Sequence, residues 1–297
     1  MTPPDTSPHP PLHPHPGEGA HRRGLAAEDV LLHLGAGDIH VRLDGRCDAP
    51  VLLLIHGSAS STLSWQALVP LLTGCHRVIG IDLLGHGRSA APADGDYSVP
   101  AQARTVAEAM DRLGVQQAVV VGHSSGGYTA VALAEQRPDL VTALALINTG
   151  PSLDAFLAPA SAAIDPTQWP PTDEQIRRFA SSAFHAGYEI PQEFVDELRG
   201  INLHAVTVAM REGVAYLSPR PLPERLPALG KPLQVVFGDQ DQRWRPSSAA
   251  DYRAVPGARV AWLRGSGHSP ILEDPVGTAA LLLAFTLDVN TGPETGT

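Results

Sequence analysis

The sequence predicts a mostly parallel, doubly wound α/β sheet interrupted by a helical insertion. Three observations carry this expectation. Aliphatic, strand-like runs alternate with amphipathic helical stretches, the pattern of repeated strand–helix–strand units. The alternation stops at Thr149-Gly150-Pro151, gives way to helical text over 151–228, and resumes at Leu233. A Gly-x-Ser-x-Gly sequence, Gly122-His123-Ser124-Ser125-Gly126, falls where one strand turns into a helix.

The elements begin after a leader. Residues 1–24 are rich in Pro and His (His9, His13, His15, His21) and carry too little apolar surface to offset the entropy of ordering, so disorder is expected. Strands at 30–34 and 39–43 flank Gly35-Ala36-Gly37-Asp38 and read as a hairpin. The continuous apolar run at 51–55 is the signature of a strand buried on both faces. A helix with Trp65, Leu68, Val69 and Leu72 on one face follows. The strand at 77–82 opens into Gly85-His86-Gly87-Arg88-Ser89. The helix over 100–113 places Val106, Met110 and Leu113 on one face, and Gly114 suits its C-cap. Val119-Val120-Val121 forms the next strand, the alanine-rich stretch 128–136 the next helix, and 143–148 another strand. Within the insertion, helices are expected at 173–184, 192–201 and 203–217, bounded by prolines on both sides. Strands at 233–238 and 258–263 and a helix over 275–287 close the pattern. The expected division is a core formed by 25–150 and 229–290, an inserted helical unit at 151–228, and a tail at 291–297.

Composition narrows the class. A chain of 297 residues with 43% hydrophobic and 18% charged residues is that of a globular protein with a substantial core. A net charge of −10 argues against a nucleic-acid partner or a basic membrane-surface protein, leaving a small-molecule substrate as the expected partner. The two cysteines, Cys47 and Cys75, make no disulfide framework. Lying just upstream of core strands, they are expected to act as small buried apolar groups, and a reducing cytoplasm fits them. The longest apolar run, 279–285, is far short of the ~18 residues of a membrane span. The N-terminus lacks an apolar core, so no secretory signal is expected.

The candidate chemistry lies at strand ends. A serine at a sharp strand-to-helix turn needs neighbours without Cβ atoms, so that the helix can pass close by. Ser124 stands between Gly122 and Gly126, whereas shifting to Ser125 puts His123 where the first glycine belongs. The turn lifts Ser124 Oγ above the sheet edge and aims the Ser125 N–H at the same point. Asp239 and Asp241 follow the strand ending at Gly238, and His268 follows the last strand in Gly265-Ser266-Gly267-His268-Ser269-Pro270. A serine hydroxyl is a poor nucleophile until an imidazole takes its proton. That imidazole needs a carboxylate on its other nitrogen to fix its tautomer and stabilise the imidazolium. His56-Gly57-Ser58 supplies an open turn whose Ser58 N–H pairs with that of Ser125 as a cradle for an oxyanion.

The remaining histidines have structural readings. His56 and His86 are expected to hold their loops, His123 to support or line the pocket, and His33, His40, His76, His185 and His204 show no partner pattern. His9 and His13 form the one H-x-x-x-H, in a proline-rich stretch where no helix aligns them, and no C-x-x-C occurs, so no metal is expected. Gly85 to Ala90 fits G-x-G-x-x-A, but Pro92 and Gly95 stand where a helix should open, so no nucleotide cofactor is expected.

Ile55-His56-Gly57-Ser58, residues 82–89, Gly122 to Gly127, Gly238-Asp239-Gln240-Asp241 and residues 267–275 together give the chain its resemblance to capped α/β-hydrolases, over nearly all of 28–288. The resemblance implies an α/β-hydrolase fold with a helical cap inserted between core strands, over their carboxyl ends, and a triad in the order Ser…Asp…His. The family's Gly-x-x-Asp pattern selects Asp241 over Asp239, which is left as a turn residue or helper. Some members carry the acid after an earlier strand, where this chain has Asn148-Thr149-Gly150. Gln242-Arg243-Trp244-Arg245-Pro246 departs from the pattern, being longer and bulkier, with Trp244 either in the pocket wall or simply packed. A serine at the elbow argues against the dehalogenase and epoxide-hydrolase relatives, which use an aspartate there.

The resulting expectation is a serine hydrolase that cleaves an ester or related acyl bond of a small, largely apolar substrate through an acyl-enzyme. Ser124 attacks, His268 shuttles the proton, Asp241 orients His268, and the N–H groups of Ser58 and Ser125 hold the oxyanion. The resemblance also allows carbon–carbon bond hydrolysis, lactone opening, amide cleavage, cofactor-free perhydrolase activity, acyl transfer, or a small-molecule receptor with little turnover. Phe156, Leu157, Trp169 and Phe179, and further along Phe184, Tyr188, Phe194 and Val208, are the candidate inward side chains of the insertion.

Overall fold

The computed structural model describes residues 27–158 and 171–291. The predicted leader at 1–24, Trp169 and the tail after 291 lie outside the described residues. The strands are β1 (Glu28–Leu34), β2 (Gly37–Asp44), β3 (Val51–Ile55), β4 (Arg77–Ile81), β5 (Ala118–His123), β6 (Val141–Ile147), β7 (Leu233–Gly238) and β8 (Arg259–Leu263). They form one sheet in the order β1-β2-β4-β3-β5-β6-β7-β8. β1 and β2 make the expected hairpin, with Leu34 opposite Gly37, and β2 runs antiparallel to β4. The other neighbouring pairs are parallel.

Period-two alternation in the central strands builds two cores. Leu53, Ile55, Val120, Leu144 and Val235 face one side, where they pack with α2 (Val99–Arg112) and α3 (Gly126–Gln136). Leu52, Leu54, Val121, Ala145 and Val236 face the other, packing with α1 (Val69–Leu72) and the closing helix, designated α9 (Pro275–Thr291). Each fully buried Leu, Ile or Val stabilises the fold by about 1.5–3 kcal/mol relative to exposure. Helix starts are specified locally: the Ser98 hydroxyl accepts from the Ala101 N–H at the head of α2.

Two expectations are corrected. The helix anticipated around Trp65–Leu72 is instead a 3₁₀ turn at Thr62–Trp65 followed by the single turn α1. Pro70 has no amide hydrogen, so a continuous helix cannot run through this stretch. The apolar face survives the break, because Trp65, Leu68 and Leu72 are all buried. Cys47 and Cys75 are free and exposed rather than buried. Both sit in turns just outside the sheet layer, where the chain has not yet entered the core.

Between β6 and β7 the chain leaves the sheet. It forms α4 (Asp173–Ala180), α5 (Gln192–Arg199), α6 (Leu203–Leu217) and α7 (Leu222–Arg225) before returning. α4 opens with a reciprocal capping box between Thr172 and Gln175, and Asn202 caps α6. Ile176, Phe184, Val195 and Leu198 form a small apolar core within the insertion. Polar ties join it to the sheet domain: Ser61 Oγ donates to the Glu197 carboxylate, and the Tyr216 hydroxyl donates to Glu135 at 3.0 Å. After β8 a short helix, α8 (Pro270–Glu273), precedes α9. No helix among the described residues is long and apolar enough to cross a membrane.

Candidate active site

The turn from β5 into α3 places Ser124 at φ 52°, a left-handed conformation that costs a non-glycine residue about 1–3 kcal/mol. Close packing holds it there. A Cβ on Gly122 would lie 2.5 Å from Gly127 Cα, and one on Gly126 would lie 2.4 Å from the carbonyl oxygens of Ile55 and His56. The Ser124 N–H donates to the Ile147 carbonyl at 2.9 Å, and its own carbonyl accepts from the Thr149 hydroxyl at 3.0 Å.

Ser124, Asp241 and His268, at the ends of β5, β7 and β8, meet in one hydrogen-bonded row. His268 Nε2 lies 2.9 Å from Ser124 Oγ, and His268 Nδ1 lies 2.9 Å from Asp241 Oδ2. The carboxylate accepts only, so Nδ1–H donates to Asp241 and Nε2 is left to accept from the serine hydroxyl. The His268 and Asp241 side chains are almost completely buried. Burial pushes the Asp241 carboxyl up, but His268 and the hydrogen bonds from His268, Asn148 and the Arg243 N–H outweigh it and hold it below the usual range. Asp239 lies on the surface, where it accepts from the Gly265 N–H at 2.8 Å and fastens the turn leading to His268.

Three supports were not singled out from the sequence. Asn148, itself at φ 45°, donates through Nδ2 to Asp241 Oδ2 at 2.7 Å and to the Gly267 carbonyl at 3.1 Å, while its Oδ1 accepts from Gly238 N–H. Glu273 accepts from Gly267 N–H and Ser269 N–H at 2.9 Å each, gripping the chain on both sides of His268. His40, read as ordinary, lies buried between Asp82 at 2.8 Å and Asp29 at 2.9 Å. Asp82 also accepts from Thr62 N–H and Arg88 N–H, and so ties the loop after β4 to the turn after β3. The signal for Asn148 was its place at the end of β6, beside the acid's strand.

The other histidines hold loops. His123 Nε2–H donates to the His268 carbonyl at 2.8 Å, and burial, then the neighbouring His268, lower its pKa from 6.5 to about 3. His56 donates through Nδ1 to Gly57 O and accepts from Leu83 N–H. His86 packs 5.3 Å from the His56 ring, and burial lowers its pKa to about 4. All three stay neutral at pH 7. Among the described residues no group of three or more His, Cys, Asp or Glu is placed to hold a metal ion.

Ser58 and Ser125 stand side by side. Their hydroxyl oxygens are 2.9 Å apart, joining the turn after β3 to the elbow. Among the described residues, neither backbone N–H has a protein acceptor. Ala59, the next residue, takes φ 55°.

Ser124, His268, Ser58 and Ser125 open into a cavity of about 660 Å³ between the strand ends and the insertion. Of the anticipated inward side chains, Phe156, Phe179 and Phe194 line it. Phe184 instead packs within the insertion, stacked on Tyr188 with ring centroids 4.7 Å apart, and Leu157 and Val208 do not reach the cavity wall. Met210, Val214 and Leu217 on α6, together with Tyr128, complete an apolar wall that the sequence did not single out. The stretch 242–246 pairs with 155–157: Leu157 N–H donates to Arg243 O, and Arg245 N–H to Ala155 O. Trp244 thereby packs edge-on against Phe156 and joins the cavity wall, over Gly150, where a Cβ would lie 2.3 Å from the indole.

Residues 50–205 match the model of the alpha/beta hydrolase fold family, and the chain belongs to that family. An uncharacterised protein of Mycobacterium tuberculosis is 30% identical over 251 residues, 76% of this chain and 72% of its own length. The dihydrolipoyllysine-residue acetyltransferase component of an acetoin cleaving system from Cupriavidus necator is 32% identical over 241 residues, spanning 79% of this chain and 63% of that protein. Among solved structures, the N-acyl homoserine lactonase AidH complexed with N-butanoyl homoserine shares the fold, with a TM-score of 0.76 at 21% identity over 91% of this chain and all of that one.

Proposed function

We propose that the protein is a serine hydrolase that cleaves an ester or related acyl bond through an acyl-enzyme intermediate. The row Ser124 Oγ–His268–Asp241, with both hydrogen bonds at 2.9 Å and its serine end open to the cavity, carries this reading. Ser124 attacks the acyl carbon while its proton passes to His268 Nε2, and Asp241 steadies the imidazolium through Nδ1. The N–H groups of Ser58 and Ser125, free of protein acceptors among the described residues, receive the oxyanion. Each such donor is worth about 10²–10³ in rate. His268 then protonates the leaving group and activates the water that releases the acid. The inserted helices act as the cap, and their Phe179, Phe194, Met210 and Val214 suit an apolar acyl or alcohol portion.

The test is turnover of p-nitrophenyl esters of graded acyl length, native protein against Ser124→Ala. Sustained turnover that vanishes in the variant is the expected result; an equal rate in both removes the reading. Acyl transfer is a second reading, favoured by the identity to the acetyltransferase component. An added alcohol or thiol would then divert product from the acid to the new ester or thioester. A burst without turnover would instead mark a receptor.

A further inference from the structure

The cavity carries charge of only one sign. Its lining includes Arg243 and Arg211, and among the described residues no Asp, Glu or Lys. This is an unusual wall for a chain of net charge −10. Arg211 is mostly exposed and already paired with Glu212 at 3.0 Å. Arg243 is different. Its Nε donates to Ser182 Oγ at 3.2 Å, and no carboxylate among the described residues lies within ion-pair distance of its guanidinium. Its other N–H groups have no protein acceptor among those residues.

One explanation is that Arg243 balances the buried Asp241. The hydrogen bonding argues otherwise. Asp241 Oδ1 already accepts from the backbone N–H groups of Arg243 and Trp244, and Oδ2 from Asn148 and His268. The carboxylate is satisfied without the guanidinium. Arg243 is therefore a half-buried cation at the cavity wall, burial lowering its pKa from the usual arginine value, with unused donors beside a largely apolar space. Burying a charge is expensive unless something pairs with it. Arg243 also adjoins the reacting centre, because its backbone holds the residue that orients His268.

We propose that Arg243 is the specificity residue of this cavity and that the substrate is an acyl compound carrying a carboxylate besides its scissile carbonyl. This deepens the hydrolase reading and rests on it. The Ser182 hydroxyl fixes the plane of the guanidinium, which leaves the two terminal nitrogens to take a carboxylate as a bidentate pair. One unpaired cation matches a monoanion better than a phosphate dianion. The apolar wall receives the methylene chain between the carboxylate and the ester.

The experiment uses p-nitrophenyl hemiesters of glutaric, adipic and suberic acids. Each is compared with the corresponding ester of the monoamide, which has the same shape without the charge. At the best chain length the native protein should favour the carboxylate by ~10–10² in kcat/KM. Arg243→Met should abolish that preference, and Arg243→Lys should keep its direction with a reduced ratio. Equal rates for acid and amide at every length, or a preference that survives in Arg243→Met, would overturn the proposal. A separate arm needs no turnover: calorimetry on Ser124→Ala with the three monoamide carboxylates against their diamides. Tighter binding of the anions, lost in Ser124→Ala/Arg243→Met, supports the assignment even if no ester is cleaved; equal binding rejects it even if esters are cleaved.

Discussion

The strand ends and the inserted helices are held by different forces. Around Ser124, Asp241 and His268, the polar atoms are fastened by short bonds from four segments: Asn148 after β6, the 242–244 backbone, His123 beside the serine, and Glu273 in α8. The insertion rests on its own small apolar core, and its contribution to the cavity is mostly side-chain hydrocarbon. The difference separates two tasks. In the proposed reaction the hydrogen-bonded row, which tolerates little displacement, would set the chemistry, and the apolar wall, which can change its shape by single substitutions, would set which substrate fits.

The contrast is most open to attack at its strongest point. Ser124→Ala should lower kcat by about 10⁴–10⁶, and His268→Ala by a similar amount, since residues acting as a unit do not lose activity additively. Steady-state rates on the preferred ester check this. Asn148→Ala should cost the next largest amount, about 10–10² in kcat with little change in KM. Losing one donor to Asp241 leaves the carboxylate less firmly aimed at His268, and an unsatisfied buried acceptor costs about 1–3 kcal/mol. A rise in KM with unchanged kcat would show that Asn148 does not act through the row.

Acid should loosen the strand-end region. In the unfolded chain these histidines titrate near 6.5, whereas folded His86 and His123 stay neutral down to about 4 and 3. The unfolded state therefore binds more protons as pH falls below 6.5. Stability present above that pH is lost on the way to pH 4, by at most about 1.4 kcal/mol per pH unit for each histidine. The thermal midpoint should fall steadily from pH 7 to pH 4; a flat profile would mean that these rings are solvated. The smallest effect belongs to the insertion. Phe194→Ala should shift the acyl-length optimum towards longer chains and change KM a few-fold, leaving kcat on the best ester nearly as it was. A loss in kcat as large as that of Asn148→Ala would erase the distinction between the two regions.

The sheet was legible because its signals are local. Val51–Ile55 and Leu233–Gly238 are apolar runs too short for helices, and the structure gives them the bounds read from the sequence. Trp65 to Leu72 misled because its apolar spacing is helical while Pro70 forbids a continuous helix. The order of Ser124, Asp241 and His268 along the chain was visible, since each follows its own strand. Their supports were not. Asn148 reaches Asp241 only because β6 and β7 are neighbours, and His40 meets Asp82 because β2 pairs with β4. Those are contacts between distant parts of the chain, and a single sequence does not print them. Arg243 was visible only as a departure from a pattern; its lack of a carboxylate partner among the described residues is a property of the folded cavity.

The most direct test of the proposed mechanism is labelling with an alkyl fluorophosphonate, followed by peptide mapping. A serine activated by its neighbouring imidazole displaces fluoride and keeps the phosphonyl group. The account predicts one adduct per chain, on the peptide bearing Ser124, formed at a rate that collapses in His268→Ala. No adduct, or an adduct on another residue at an undiminished rate in Ser124→Ala, would contradict it.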